Sequence, residues 1–466
     1  MNKKLIFSLS SLLMFSCSVG PDYKRTDIFS DTEIAKSLDL TSDAKYNDFE
    51  ITDLGDKVLN TLLAEALQSA PDIRVAILKL KQARAVLNIN DVAGFPTFDI
   101  AGKYNYVNSP KNMYNLINND YYQFGIDMSW EIDIFGGTRR KIEASKAQYR
   151  YMLENIKNVN VSLLSEVATT YINLRMTEQN LKNMRENILL QEDAYNIISE
   201  KYAFDLIDDM TLAQSRYLLE NMKMQVPTLE YERQMYANSL AILLGRLPDS
   251  MDDMLKSDEE NLVNKILHYD IEKLYNLPID VIRNRPDVKM AEEELIAQNA
   301  EIGVAIAEVF PKVSLSGFFG FQSMKWSNLV EKDSVGHTLI PQASVPLFHF
   351  GALKNNITLQ KLKKEEELIN YEQTLLNATA ELKNAITALV KEYDRNKSAA
   401  MAYQKMSEVS SLMWKKYMMG LVEYSDVLNS EQNRLSAQTN MINSNANLYK
   451  DIITFYKAIG GHYDQH

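Results

Sequence analysis

The stretch Tyr122-Gln-Phe-Gly-Ile-Asp-Met-Ser-Trp-Glu-Ile-Asp-Ile134 alternates apolar and polar side chains almost without interruption. Period-two patterning over this length predicts a β-strand with one apolar and one polar face. A second alternating segment runs from Thr97 to Val107, with Phe98, Ile100 and Tyr104 on its apolar side. The sequence therefore predicts a β-hairpin over residues 97–134.

This hairpin fits two kinds of protein. In a soluble sandwich it would be a half-buried sheet. Its segments also match the ~9–11 residues that span a bilayer as a tilted strand, and its apolar face is rich in aromatic residues, which favours a membrane barrel. Known outer-membrane barrels need about eight strands, and an open sheet edge is not tolerated in lipid. A barrel would therefore have to be completed by other subunits.

The chain repeats itself at a shift of 215 positions, since 286 − 71 and 416 − 201 both give that number. Pro71-Asp72 falls on Pro286-Asp287, and Lys201-Tyr202 falls on Lys416-Tyr417. This period is far longer than the roughly 20–50 residues of solenoid repeats, so it indicates two copies of one unit. We assign the first copy to residues 55–246 and the second to 280–460, joined by an acidic connector at 247–279 and followed by a tail at 461–466.

Each copy combines helices with a hairpin. A first helix is expected from about Gly55 to Val92, and again from about Asp280 to Glu308. The second β-hairpin is expected at 312–348, where Pro341 and Pro346 should disrupt the last strand.

Long helical segments follow each hairpin. Leucine and other apolar residues recur every seven positions, as at Val167, Leu174 and Leu181, or at Leu375, Leu382 and Leu389. Such a repeat predicts coiled-coil packing. Long helical hairpins are thus expected at 140–245 and 352–459.

The N-terminus has the layout of a secretory signal, with Lys3 and Lys4 before an apolar run from Leu5 to Phe15. Cys17 follows directly and is the only cysteine of the chain, so no internal disulfide can form. We expect a signal peptide at 1–16, and a lipidated segment at 17–54 that begins with Cys17 as the lipid anchor. The alternative is an ordinary signal peptide that happens to contain a cysteine.

The composition excludes several classes of function. A net charge of −12 with no basic tract argues against nucleic-acid binding. The five histidines show no metal-ligand spacing, and no nucleophile elbow, phosphate-binding loop or placed carboxylate pair is found. We therefore predict a non-enzyme with no cofactor and no metal. Methionines such as Met222, Met224, Met418 and Met419 could bind soft Cu(I), but packing is the favoured explanation.

Four stretches of the chain are distinctive: Cys17-Ser-Val-Gly-Pro-Asp-Tyr-Lys-Arg25, Ser129-Trp-Glu-Ile-Asp-Ile-Phe-Gly136, Leu277-Pro-Ile-Asp-Val-Ile-Arg-Asn-Arg-Pro-Asp287 and Gly420-Leu-Val-Glu-Tyr-Ser-Asp-Val-Leu428. Together they resemble the TolC-type outer-membrane efflux channels, and specifically their lipoprotein branch. The resemblance implies an α+β membrane protein that forms a homotrimer, with a twelve-stranded β-barrel in the outer membrane and an α-helical periplasmic tunnel. It also implies a passive export conduit for small molecules, working with a periplasmic adaptor protein and an inner-membrane transporter.

The same resemblance suggests where the channel narrows, at the two turns where the long helices reverse. Asp426 falls on a position where the family has carboxylates, whereas Asn429 and Val422 depart from the family's acidic and arginine positions. Asp208 could instead be an N-cap of the returning helix. The pore-gate candidates are Asp426, Asn429, Ser425, Asp208 and Asp209, and the adaptor-contact candidates are Gly420, Leu421, Val422, Asp205 and Leu206.

A rival from another class is a lipid-anchored structural or adhesive coiled-coil protein of the cell envelope, whose strands pack as an ordinary sheet. A secreted enzyme is a weaker third reading, because no convergent polar site is apparent in the sequence.

Overall fold

A computed structural model describes residues 18–25, 28–38, 51–106, 120–251, 263, 277 and 280–461. The predicted signal peptide 1–16, the lipid anchor Cys17, most of the acidic connector 247–279 and most of the tail 461–466 lie outside the described residues.

The first helix of each copy is interrupted by a proline, so the expectation of one continuous helix is wrong in both copies. Before copy one lie α1 (Asp31–Leu38) and a short 3₁₀ turn (Ile51–Leu54). Copy one begins with α2 (Lys57–Ser69) and α3 (Pro71–Val92), and copy two begins with α6 (Val281–Asn284) and α7 (Pro286–Ala307). Ala70 and Arg285, the residues before the prolines, have ψ angles of 133° and 139°. Proline disfavours the helical region for the residue that precedes it, which explains both breaks.

The strands of both copies form one antiparallel sheet in the order β1-β2-β3-β4. Their bounds are β1 (Thr97–Asn105), β2 (Tyr121–Ile132), β3 (Lys312–Ser323) and β4 (Val335–Ser344), with 3₁₀ turns at Trp326–Asn328 and Lys332–Ser334. Pro341 pairs with Leu315 inside β4 instead of breaking it. Proline is tolerated there because β4 is an edge strand. The β2–β3 pairing joins the two copies.

The register places apolar side chains on one face of the sheet and polar side chains on the other, as the alternation predicts. On the apolar face Ile100 lies opposite Ile126, and Ile126 opposite Phe319. Phe318 is an exception, because it lies on the polar face yet is buried. Its ring covers Gly125 and Gly320, where an added Cβ would lie only 2.9 Å from the ring. This glycine pair therefore makes room for an aromatic residue on the polar face.

The long helices have equal lengths in the two copies. The outgoing helices α4 (Gly137–Ala203) and α8 (Ala352–Met418) each have 67 residues, and the returning helices α5 (Asp209–Leu243) and α9 (Tyr424–Ala458) each have 35. A helix of 67 residues is about 100 Å long. The heptad positions are buried where they were expected, at Val167, Leu174 and Leu181 and at Leu375, Leu382 and Leu389.

The chain divides into two compact units. Unit I holds the described residues before 28, together with 79–153 and 290–373, and so includes the whole sheet. Unit II holds residues 28–78, 154–289 and 374–466 where these are described, and so includes both turns between the long helices.

None of the described helices combines the length and the apolar character needed to cross a membrane.

Candidate functional site

The two turns of unit II, which we call the tips, have the same backbone structure. The first tip is 204–208 and the second is 419–423. Asp205 and Gly420 both adopt left-handed φ angles, 56° and 71°. The N–H groups of Leu206 and Leu421 donate to the carbonyls of Lys201 and Lys416, each at 3.0 Å. Together with the bonds from Asp205 and Gly420, these make the Schellman motif that ends many helices.

Each tip presents one leucine to solvent. Leu206 and Leu421 follow the left-handed residue and are 69% and 68% exposed. Val422 is half-buried in the second tip. Because the backbone and the exposed leucine recur in both copies, each chain offers two equivalent surfaces at its tips.

The carboxylates of the first tip are held by local hydrogen bonds. Asp208 is the N-cap of α5, because its side chain accepts from the Thr211 N–H at 2.9 Å. Hydrogen bonding from the Thr211 side chain, and then from the Thr211 N–H, lowers the pKa of Asp208. Asp209 accepts from the Tyr202 hydroxyl at 2.6 Å. Both carboxylates remain exposed, but their first role within the chain is to order the tip.

The candidates of the second tip lie on the first turns of α9. Asp426 and Asn429 are exposed and three residues apart, so they share one face of the helix. Ser425 is half-buried. Glu423 occupies the N-cap position without a side-chain cap bond.

An aromatic cluster that the sequence did not single out supports the second tip. Tyr424 and Val427 of α9 are buried against Ile198 of α4. The Tyr417 ring lies 5.5 Å from that of Tyr424, and the Lys201 ammonium lies 4.9 Å from the centre of the Tyr417 ring. The cluster connects the outgoing helix of copy one to the hairpin of copy two. The one available sequence signal was the repeated Lys-Tyr pair.

Arg140 holds the segment that follows Cys17 in place within unit I. The Arg140 guanidinium is buried and donates to the carbonyls of Val19 and Gly20 at 3.1 and 3.2 Å and to Asp22 at 2.7 Å. Ser18 lies so close to Gly136 that a Cβ added to Gly136 would come within 2.8 Å of the Ser18 Cα. The first described residue after Cys17 is therefore held at the junction between β2 and α4.

Aromatic side chains gather at both ends of the sheet. At one end, the rings of Tyr104 and Tyr122 are 5.0 Å apart and Trp326 lies 5.5 Å from Tyr122. At the other end, Phe135 stacks on Phe310 at 4.8 Å, and Trp130 donates to the Gly94 carbonyl. Aromatic belts at two levels are typical of strands that cross a membrane.

No group of three or more His, Cys, Asp or Glu side chains suited to a metal ion occurs among the described residues. Packing accounts for Met222, which is buried, but not for Met224, Met418 and Met419, which are exposed.

The model of the family "Outer membrane efflux protein" matches the chain twice, at residues 62–246 and 277–461. This chain belongs to the outer membrane efflux protein family. The two matches account for the internal duplication, and the family expected from the four stretches is confirmed.

Curated relatives of the chain agree with this assignment. The cation efflux system protein CusC of Escherichia coli (strain K12) is 25% identical, and the alignment covers 98% of this chain and 99% of CusC. The "Probable outer membrane lipoprotein SilC" of Salmonella typhimurium is 23% identical over 99% of both chains. The solvent efflux pump outer membrane protein SrpC of Pseudomonas putida is 28% identical over 87% of this chain and 86% of its own.

Solved structures have the same fold. The outer-membrane channel OprN superimposes with a TM-score of 0.85 and 26% identity, covering 96% of this chain and 99% of OprN. The CmeC outer membrane channel of Campylobacter jejuni gives a TM-score of 0.84 and 26% identity, with 96% of each chain covered. The predicted fold class of an outer-membrane efflux channel, with long helical hairpins and β-hairpins in duplicate, is confirmed.

Proposed function

We propose that this protein is the outer-membrane channel of a tripartite efflux pump and exports small molecules passively as a homotrimer. The observation that carries the proposal is the incomplete sheet. Strands β1 and β4 are its two edges, and its apolar face exposes Phe98, Ile100 and Leu339. Such a sheet cannot stay in water or in lipid as it is, because its apolar face avoids water and its open edges are not tolerated in lipid.

Three copies of the sheet meet both requirements. Twelve strands close into a barrel that has no edges, and the apolar face then contacts lipid. The polar face, which carries the Lys103–Asp127 ion pair at 2.5 Å, lines the lumen. Exposed apolar residues on the helices, such as Ile89 of α3 and Ile369 of α8, at 65% exposure each, are covered by neighbouring subunits.

Cys17 anchors the chain to the outer membrane through lipid. The support is geometric, because Ser18 lies against Gly136, the residue directly before α4. An acyl chain on the preceding cysteine would enter the membrane beside the barrel wall. The long helices form the periplasmic part of the channel.

The tips form the closed end of the conduit. Asp426 and Asn429 line the pore there, with Ser425 beside them, while Asp208 and Asp209 add negative charge from the first tip. Rings of carboxylates across a threefold axis attract cations and repel one another, which makes a narrow point sensitive to substitution.

A periplasmic adaptor binds the outer surface of the tips and links the channel to an inner-membrane transporter. The contact residues are Gly420, Leu421 and Val422 in the second tip and Asp205 and Leu206 in the first. The exposed Leu206 and Leu421 support this, since an aliphatic side chain that projects from a turn can fill a pocket of a partner. The chain itself performs no chemical reaction. Its relatives are named for cation, solvent and antibiotic efflux, and small molecules of this range are the proposed cargo.

Conductance across planar bilayers tests the channel. Purified protein carrying Asp426→Ala should conduct steadily, and cells expressing it should leak small antibiotics. Trimers that never conduct, even with Asp426 replaced, would refute the proposal.

A lipid-anchored scaffold with no barrel is the competing function, and carbonate extraction separates the two. A barrel resists carbonate after Cys17→Ala, whereas a scaffold held only by its lipid is released.

A further inference from the structure

The long helices of unit II enclose a cavity close to the two tips. It has a volume of about 380 Å³ and lies among α4, α5, α8 and α9, and we call it the tip cavity. Its exposed lining residues, such as Leu190 and Ser411, belong to α4 and α8, whereas Leu218 of α5 and Tyr424 of α9 are buried. The mouth therefore lies at the outgoing helices and the floor at the returning helices. Pockets that hold small organic molecules have volumes of about 300–1,000 Å³, so the tip cavity has room for one.

Much of the lining is apolar. It includes one indole ring together with aliphatic and thioether side chains from three helices, namely Trp414, Leu190, Ile197, Leu218, Met222 and Leu428. A buried water needs two to four polar partners, which the aliphatic part of the lining does not supply. This part therefore favours an organic molecule over water, and the Trp414 ring favours an aromatic one.

Two buried polar groups of the lining lack a hydrogen-bond partner. Tyr424 is 4% exposed and Gln191 is 7% exposed. The Gln191 amide nitrogen donates to the Tyr424 hydroxyl and to the Ser215 carbonyl, each at 3.4 Å. The Ser215 carbonyl fixes the orientation of the amide, because only the nitrogen can donate to it. Within the described part of the chain, no group accepts from the Tyr424 hydroxyl and none donates to the Gln191 amide oxygen.

A single ligand group can satisfy both residues. The Tyr424 hydroxyl and the Gln191 amide are adjacent, and together they offer one free donor and one free acceptor. A hydroxyl group is itself both an acceptor and a donor, so it complements this pair. Because buried polar groups nearly always have partners, the pair indicates a hydroxylated ligand.

The charged residues of the lining indicate an uncharged molecule. Glu431 and Arg434 pair at 2.9 Å and compensate each other, while Asp193 is exposed at the mouth and stays in water. A charged ligand would lose its hydration without gaining a free counter-charge. Arg434 donates through Nε to Glu431 and through Nη2 to Asn187, but its Nη1 has no partner among the described residues. Tyr424 and Arg434 are ten residues apart, or about 15 Å along α9, so an elongated molecule would extend from one to the other.

We infer that the tip cavity is a binding site for an uncharged, elongated aromatic molecule that carries a hydroxyl group. The hydroxyl accepts from Tyr424 and donates to Gln191, a ring packs on Trp414, and an oxygen at the far end accepts from Nη1 of Arg434. The site is distinct from the pore-gate candidates Asp426 and Asn429, neither of which lines the cavity. It does not depend on the proposed export function.

Titration calorimetry of the purified full chain in detergent, with bisphenol A as the probe, tests the inference. Bisphenol A is uncharged at neutral pH, has two aromatic rings and carries a hydroxyl at each end. It should bind at one saturable site per chain with a dissociation constant below roughly 1 mM. Its dimethyl ether keeps the rings but cannot donate a hydrogen bond, and it should bind several-fold more weakly.

Two substitutions, each with a matched control, locate the bound probe. Ala194→Trp fills the cavity and should weaken binding at least tenfold, whereas Ala213→Trp, at an exposed position of α5 outside the lining, should not change it. Tyr424→Phe removes the free donor and should weaken binding about fivefold, and Tyr217→Phe on the exposed side of α5 should have no effect.

The inference fails if the unmodified chain shows no saturable binding, or if Ala194→Trp binds bisphenol A as tightly as the unmodified chain does. Equal affinities of the unmodified chain and Tyr424→Phe would overturn the recognition of a hydroxyl. Ser411→Trp, at the mouth, gives the same test as Ala194→Trp should that variant not fold. A protein that conducts in bilayers but does not bind the probe would refute this inference and leave the proposed function intact.

Discussion

Tyr171→Phe tests a buried network of unit II that joins α2 to α4. The Tyr171 hydroxyl donates to the Asp56 carboxylate, with both oxygens at 3.0 Å, and accepts from the Arg175 guanidinium at 2.9 Å. Tyr171 is 0% exposed and Asp56 is 9% exposed. Burial raises the pKa of Tyr171, so its hydroxyl keeps its proton at neutral pH and remains a donor.

The expected cost of this substitution is about 2 kcal/mol of unfolding free energy. A hydrogen bond to a charged group contributes about 1.5–3 kcal/mol, and phenylalanine leaves no cavity because it keeps the ring. Asp56 retains its bond from the Leu59 N–H at 2.9 Å, which keeps the loss well below that of an orphaned charge. Arg175 likewise retains Glu178 at 2.8 Å.

Denaturant unfolding followed by far-UV circular dichroism measures this cost, and a double-mutant cycle with Asp56→Asn isolates the pair. We expect a coupling energy of about 1.5 kcal/mol or more. Tyr217→Phe is the control at a tyrosine that is 62% exposed, and it should change stability by less than about 0.5 kcal/mol. If Tyr171→Phe costs no more than this control, or if the cycle is additive within about 0.5 kcal/mol, the reasoning about the network is wrong.

Three further predictions concern single positions. Asp205→Gly should stabilise the first tip by about 1 kcal/mol, because glycine adopts the left-handed φ without strain. The variant should then be cleaved more slowly by proteases at 204–208, and faster cleavage would contradict this prediction. Burial raises the pKa of Asp451 to about 6, so the folded state holds this proton more tightly than the unfolded state and loses stability as pH rises from about 4 through 6. Asp451→Asn should therefore gain about 1 kcal/mol at pH 7 after allowance for partial exposure and nothing near pH 4, and an equal effect at both pH values would refute the assignment. Gly303→Ala would bring a Cβ within 2.7 Å of the Arg140 side chain, which holds residues 18–25, and should speed amide hydrogen exchange in that segment. Gly94→Ala is the control, because its Cβ would have 3.9 Å of clearance and should not change the exchange. Equal exchange in the two variants would exclude the close contact at Gly303.

The parts of the fold that depend on local patterns could be predicted from the sequence. Alternation located all four strands, and heptads identified the buried stripes of α4 and α8, because both periodicities follow directly from backbone geometry. The breaks before Pro71 and Pro286 are also local, but the helix-forming residues on both sides of each proline favour one continuous helix and mask the break.

Contacts between distant residues could not be predicted in the same way. Tyr171 and Asp56 are 115 positions apart, and Arg434 and Asn187 are 247 apart, so no spacing rule connects them. Phe318 lies on the polar face of β3, and only the register that pairs Gly125 with Gly320 explains how an aromatic residue is accommodated there.

The most direct test of the account is the native mass of the protein after extraction from membranes in detergent. This mass shows whether other copies of the chain complete the four-stranded sheet. Three chains in each particle are predicted, with the edges β1 and β4 paired between copies. A folded particle of one chain, with those edges open, would contradict the shared barrel and with it the proposed channel.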